Sequence, residues 1–191
     1  MCESLDKSIL RDVSPVVRRH ADKIVQSANG KPIVDVGCGT GRNAVLFAGI
    51  GCEVICMDRD LTPLTSRIDQ KYAGFKNQGL LLPVQIDFLL ERWPIQEESA
   101  GGIICVHLLL PSLFPLFARS LTTGSYLLLE TVAGHGGNYL SLPKEGELRG
   151  RLECDFELEF YKERRVGPIG QDAVTVALLG KRRPYLSCSH A

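Results

Sequence analysis

Three aspartates and three glycines in the first half of the chain are the residues best placed to do chemistry. Asp35 stands inside "IVDVGCGTG", where Gly37, Gly39 and Gly41 recur at every second position. Asp58 closes "EVICMD" and Asp87 closes "LLLPVQID". A β-branched run that stops at glycine reads as a strand entering a tight turn. Glycine there adopts backbone angles closed to other residues and lets a ligand lie against the main chain. The N–H groups of such a turn, and of the helix after it, are free to donate. Turns that hold dinucleotides space their glycines as G-x-G-x-x-G. Here Arg42 follows Gly41, so the third glycine comes one residue early. The spacing D-x-G-x-G-x-G fits an adenosine ligand without a pyrophosphate. A carboxylate at Asp35 suits an ammonium group better than a phosphate.

Asp58 lies about twenty residues past the first glycine, where an acid meets ribose hydroxyls in nucleotide sites. A carboxylate only accepts, so it can take both hydroxyl protons. Asp60 is the alternative, because strand ends are uncertain by two residues or more. Asp87 can accept from an exocyclic adenine amine, and Phe88 can cover the ring. An acid after a strand is usually a turn or helix cap. Three such acids ending three consecutive strands beside a glycine turn point to one site.

The elements that must position them alternate. Ser14-Pro15 starts a helix, with serine as cap and proline at the first position, and Asn29-Gly30 stops it. Strands follow at "PIVDVG", "CEVICMD", "LLLPVQID", "GGIICVHLLL" and "GSYLLLETV". The helical segments between them are "GRNAVLFAGIG", "LTPLTSRIDQKYAGF" and "PSLFPLFARSL", and Trp93-Pro94 falls in a loop or short helix. Continuous apolar strands alternating with helices predict a parallel sheet covered on both faces. "CDFELEFYKERRV" and "AVTVALLGKRR" have only "GPIGQD" between them, which predicts an antiparallel hairpin. The expected organisation is one unit over 1–191. It comprises a covering helix region (1–30), a core (31–132), a glycine-rich loop or lid (133–153) and the hairpin (154–183).

Lysine plus arginine and aspartate plus glutamate balance at 22 each. No global basic field draws the chain to nucleic acid or anionic lipid. Seven cysteines in no metal-type spacing read as free thiols of a reducing compartment. The charged start "MCESLDKSIL" has no signal-peptide pattern, and the longest apolar run is far too short to span a bilayer. The expectation is a cytoplasmic protein with no membrane association and no metal.

"VDVGCGTG" resembles the first motif of the class I S-adenosylmethionine-dependent methyltransferases, and "VICMD" and "VQID" resemble the next two. The resemblance covers about residues 14–182. It implies an α/β, Rossmann-like, seven-stranded sheet, mostly parallel, in the order 3-2-1-4-5-7-6. Strand 7 is antiparallel and helices cover both faces. "GTGRNAVLFAGIGCEVICMDRD" is similar to small bacterial methyltransferases related to the tellurite-resistance enzyme, as are Ser14-Pro15 and "LPKEGELRGRL". The cofactor implied is S-adenosylmethionine. Asp35 would reach its amino group, and Gly37 and Gly39 would pass under the methionine and ribose. Asp58 would hold the ribose and Asp87 the adenine amine, with Phe88 donating from its backbone. Arg42 or the first N–H groups of the next helix would hold the carboxylate, unless Arg42 is simply a solvated helix residue. Gly41, Asn43, Arg59, Val106 and Cys38, the last as a small turn residue, complete the expected contacts.

The acceptor should sit above the ends of the fourth and fifth strands. His107 is the candidate catalytic residue there, to orient the acceptor, act as a base or touch adenine; the alternative is a core histidine. Glu130 and His135 are candidate substrate contacts, or ordinary solvated residues. The fourth strand lacks the Asn/Asp-Pro-Pro-aromatic ending of amino-methylating nucleic-acid enzymes. A small molecule or oxyanion is therefore the expected acceptor, methylated by in-line displacement. The rival from another class is a non-catalytic module that binds adenosylmethionine or adenosylhomocysteine. A nicotinamide-dependent oxidoreductase is disfavoured by the early third glycine and the terminal hairpin.

Overall fold

A computed structural model describes residues 11–68, 80–132, 141–167 and 172–184. Helix α1 (Pro15–Ala28) begins as its sequence requires. The Ser14 hydroxyl accepts from the N–H groups of Val16 and Val17, and Pro15 needs no donor partner there. Asn29, at φ 50°, closes it. Val17, Ala21, Ile24 and Ala28 form its buried stripe.

The strands are β1 (Ile33–Val36), β2 (Val54–Asp58), β3 (Leu81–Gln85), β4 (Ala100–Val106), β5 (Leu121–Glu130), β6 (Phe156–Arg165) and β7 (Val174–Arg182). They form one sheet in the order β3-β2-β1-β4-β5-β7-β6. Neighbours from β3 to β5 run parallel, while β7 is antiparallel to both β5 and β6. The expected strand order and reversed strand are therefore present. Between strands lie α2 (Ala44–Gly49), α3 (Thr62–Arg67), α4 (Phe114–Ser120) and α5 (Glu147–Leu152).

β1 and β4 are buried along their whole length, as continuous apolar runs require. Alternation along β1 divides the core. Ile33 packs with Phe47 and Leu64 on the α1–α2 side, while Val34 and Val36 pack with Phe114 and Phe117 on the α4 side. The chain leaves β1 toward β2 and β3, then returns to place β4 on the other side. The crevice past the carboxyl ends of β1 and β4 is thus the switch point where such sheets bind ligands.

Two expectations are corrected. The fourth strand does not continue through Leu110: it ends at Val106, because His107 takes φ 68°, a left-handed angle that breaks the ladder. The helix expected from Gly41 starts only at Ala44. His135 with the rest of 133–140, the first part of the expected loop or lid, and residues 168–171 at the tip of the hairpin lie outside the described residues; the remainder of that expected loop holds helix α5. Among the described residues, no helix is long and apolar enough to cross a membrane.

Candidate active site

β1 delivers Asp35 to the glycine turn with 1% of its surface exposed. Burial pushes its carboxyl up to about 7; the Ala44 N–H and the Arg42 charge pull the other way, and Asp58 adds to the rise. Its Oδ2 has no hydrogen-bond partner among the described residues. A buried carboxylate oxygen without a donor is costly, and the arrangement suits a site that awaits a donor or cation.

The turn is tied to β2. The N–H groups of Gly37 and Cys38 both donate to the Met57 carbonyl, at 2.8 and 3.0 Å. Gly37 takes φ 70°, and a Cβ there would come within 3.0 Å of Leu108 Cδ2. The dihedral favours glycine at this position, and any side chain would also press on Leu108. Gly39 differs. Its φ is 53°, yet a Cβ would meet nothing within 4 Å, and its N–H donates to Asp58 Oδ2 at 2.8 Å. Cys38 is buried, and its hydrogen bond to Cys56 together with burial pushes the thiol far above its usual range. It is not a reactive nucleophile.

Asp58 ends β2, half-buried, with Oδ1 accepting from the Asp60 N–H. Asp60, the alternative ribose acid, points elsewhere: its Oδ1 accepts from the Thr62 N–H at the start of α3. Asp87 follows β3 and caps its own turn through the Leu89 N–H at 2.9 Å. Asp58 and Asp87 meet across a cleft of about 450 Å³, lined by Gly37, Asp58, Arg59, Asp87, Phe88, Leu89, Val106, His107, Leu108 and Leu110. Phe88 faces Trp93, with ring centroids 6.2 Å apart.

His107 stands exposed at the end of β4, so it is not a core histidine. Its N–H donates to the Glu130 carbonyl at 2.7 Å, which ties its strained backbone to β5. It lines the large cleft and also a second hollow of about 210 Å³ beside it, formed with Leu109, Thr131, Val132, Ser141 and Leu142. This hollow lies past the ends of β4 and β5, where the acceptor was expected. Arg42 precedes α2 rather than sitting in it. It donates to the Asp12 carbonyl at 3.3 Å and stands 3.4 Å from His107 Nδ1.

The structure thus brings Gly37, Asp58, Arg59, Asp87, Phe88, Val106 and His107 onto one cleft, with Asp35 buried behind the turn. Cys38, Gly39, Gly41, Arg42, Asn43 and Glu130 do not line it. Asn43 and Glu130 instead meet at Ser14. The Ser14 N–H donates to Asn43 Oδ1 at 3.0 Å, and the Ser14 hydroxyl donates to Glu130 Oε2 at 2.5 Å. Sequence reasoning took Ser14 for a cap alone, and nothing local marks the bond to a residue 116 positions away. It also missed Leu108 and Leu110, whose apolar run read as strand.

No family model matches the chain, and no curated protein matches it. Solved structures do. TehB from Haemophilus influenzae superposes with a TM-score of 0.60 at 16% identity, over 85% of this chain and 62% of its own. The chain therefore spans less than two thirds of that protein's length. A putative sarcosine dimethylglycine methyltransferase from Galdieria sulphuraria gives 0.65 at 14% identity, over 87% of this chain and 85% of its own. The chain has the class I methyltransferase fold. A tRNA methyltransferase, TrmI from Aquifex aeolicus, also superposes, at 0.61 and 15% identity over 90% of this chain and 70% of its own. The class I methyltransferase fold thus holds proteins named for a small amino acid and for an RNA, so it does not choose the acceptor.

Proposed function

We propose that the chain is an S-adenosylmethionine-dependent methyltransferase that acts on a small acceptor. The observation that carries this reading is the buried Asp35, with its unpartnered Oδ2, behind a glycine turn whose cleft is walled by Asp58 and Asp87. An ammonium group supplies the donor that Asp35 lacks. Each Asp58 oxygen accepts one backbone N–H and keeps a second lone pair, which suits two ribose hydroxyls. Asp87 spends Oδ1 on its turn and keeps Oδ2 for an adenine amine. Phe88 gives the ring an aromatic wall, with Trp93 packed behind it. The two phosphates of a nicotinamide dinucleotide would instead meet these acids.

Bound adenosylmethionine supplies an activated methyl group: the carbon–sulfur bond breaks as the acceptor–carbon bond forms, and sulfur keeps the electron pair. The protein's part is chiefly to align the acceptor and exclude water, a proximity effect worth about 7 kcal/mol or more in well-oriented reactions. His107, standing between cleft and hollow, is the residue placed to do so.

The test uses Trp93, the chain's single tryptophan. Adenosylmethionine and adenosylhomocysteine should change its fluorescence saturably, and NAD should not. Methyl-labelled adenosylmethionine should then pass label to a small acceptor in wild type and far less in His107→Gln. Binding without transfer to any acceptor would favour a non-catalytic binding module.

A further inference from the structure

The ladder between β6 and β7 slips between Leu158 and Phe160, so Glu159 is the extra residue of a β-bulge. The bulge turns two successive side chains toward α1. Glu159 pairs with Lys23 of α1 and accepts from the Tyr126 hydroxyl of β5 at 3.1 Å. Phe160 packs against His20 of α1, with ring centroids 5.0 Å apart, and the Arg19 guanidinium stands 5.5 Å from the centre of the same ring. Leu158 and Tyr161, on either side, pack into the core on the opposite face of the sheet. α1 therefore meets β6 through an ion pair and a histidine.

The histidine is the pH-sensitive member of the contact. Its Nε2 is buried and has no hydrogen-bond partner among the described residues. A neutral imidazole tolerates this, because its one proton can rest on Nδ1. An imidazolium does not: both nitrogens then carry protons, and the Nε2–H is buried with nothing to accept it. The charges around the ring act in the same sense. Burial lowers the His20 pKa, Arg19 and Lys23 on its own helix lower it further, and Glu159 across the contact raises it in part. Glu159 is already paired with Lys23. Burial raises its carboxyl, but the bonds from Lys23 and Tyr126 bring it below its ordinary value, so it stays ionised while a histidine titrates.

We infer that His20 is an acid-sensitive catch: protonation of its ring releases α1 from the bulge of β6. A released helix takes up a proton that the docked helix resists. Docking is therefore full above the ordinary histidine value of 6.5 and weakens as pH falls below it. The release reaches the crevice because Ser14 caps α1, and its N–H and hydroxyl bond Asn43 and Glu130. The catch does not depend on what the crevice binds.

The experiment is proton–nitrogen NMR on the full chain from pH 7.5 to 5.0. It follows the histidine rings and amide exchange in α1, with rates corrected for the intrinsic effect of pH. His20→Phe identifies the ring signal and removes the charge while keeping an aromatic ring against Phe160; should that variant fail to fold, His20→Gln takes its place. In wild type the ring should titrate below 6.5. Over the same range, protection of the α1 amides should fall about fivefold relative to His20→Phe. The comparison cancels Asp35, which titrates in both proteins. The Arg18 amide, which donates to the Ser14 carbonyl at 2.9 Å, should lose protection with the rest. Titration at or above 6.5, an equal pH response in the two proteins, or an Arg18 amide that keeps its protection would overturn the inference.

Discussion

The two ends of the crevice are built by different rules. On the β1–β3 side, each polar group comes from the end of one strand and is held by backbone N–H groups of the turns and helix start around it: Gly39 on Asp58, Leu89 on Asp87, Ala44 on Asp35. On the β4–β5 side the polar groups are held across the fold. Ser14 reaches Asn43 and Glu130, and Arg42 reaches His107. The first side is a cradle of backbone donors at the ends of three adjacent strands. The second is assembled across the fold, by side chains that meet from the start of α1, the segment before α2 and the ends of β4 and β5.

The contrast is sharpest at Asp35, whose carboxyl is pushed up to about 7 by burial. Between its ordinary value of 3.8 and about 7, the unfolded chain has lost this proton and the folded chain keeps it. Stability of the ligand-free protein therefore falls as pH rises through that window, by on the order of 4 kcal/mol from this group alone. Asp35→Asn should raise the melting temperature of the ligand-free protein at pH 8 and leave it little changed at pH 4. The same variant should bind adenosylmethionine at least tenfold more weakly. In wild type, affinity should climb between pH 5.5 and 7, as binding draws the carboxyl into its ionised form; in Asp35→Asn it should stay flat. Calorimetry across pH reads both.

Asp58→Ala should weaken adenosylmethionine binding by roughly 1.5–3 kcal/mol, the loss of a charge-assisted bond. Unchanged affinity would remove the ribose assignment; Asp60 is not among the residues that line the cleft. Ser14→Ala belongs to the other side and should cost about 1 kcal/mol of stability through the lost cap. It should lower turnover while leaving adenosylhomocysteine affinity unchanged; a matching loss of affinity would erase the distinction between the two sides. The smallest expected effect is that of His107→Gln on adenosylhomocysteine affinity, within about 0.5 kcal/mol of wild type.

The cradle was legible because its signals are short. Alternating glycines and three strand-end acids lie within runs of a few residues, and the hairpin shows itself by the missing helix between β6 and β7. The acceptor side was legible only as a location. The "HLLL" run has the composition of strand, yet Leu108 is apolar because it packs on Gly37 and lines the cleft. A single backbone angle at His107 ends β4, and no propensity for histidine announces it. Asn43 stood beside the glycine turn and read as a cofactor contact, but its side chain accepts from the serine that caps α1, a pairing that only the tertiary fold creates.

The most direct measurement is calorimetric titration of the full chain with adenosylmethionine, adenosylhomocysteine and NAD in parallel. The account predicts saturable binding of both sulfur compounds at one site per chain and no heat of binding for NAD. Binding of NAD, or of neither sulfur compound, would contradict the assignment of the glycine turn and its three acids to an adenosyl ligand.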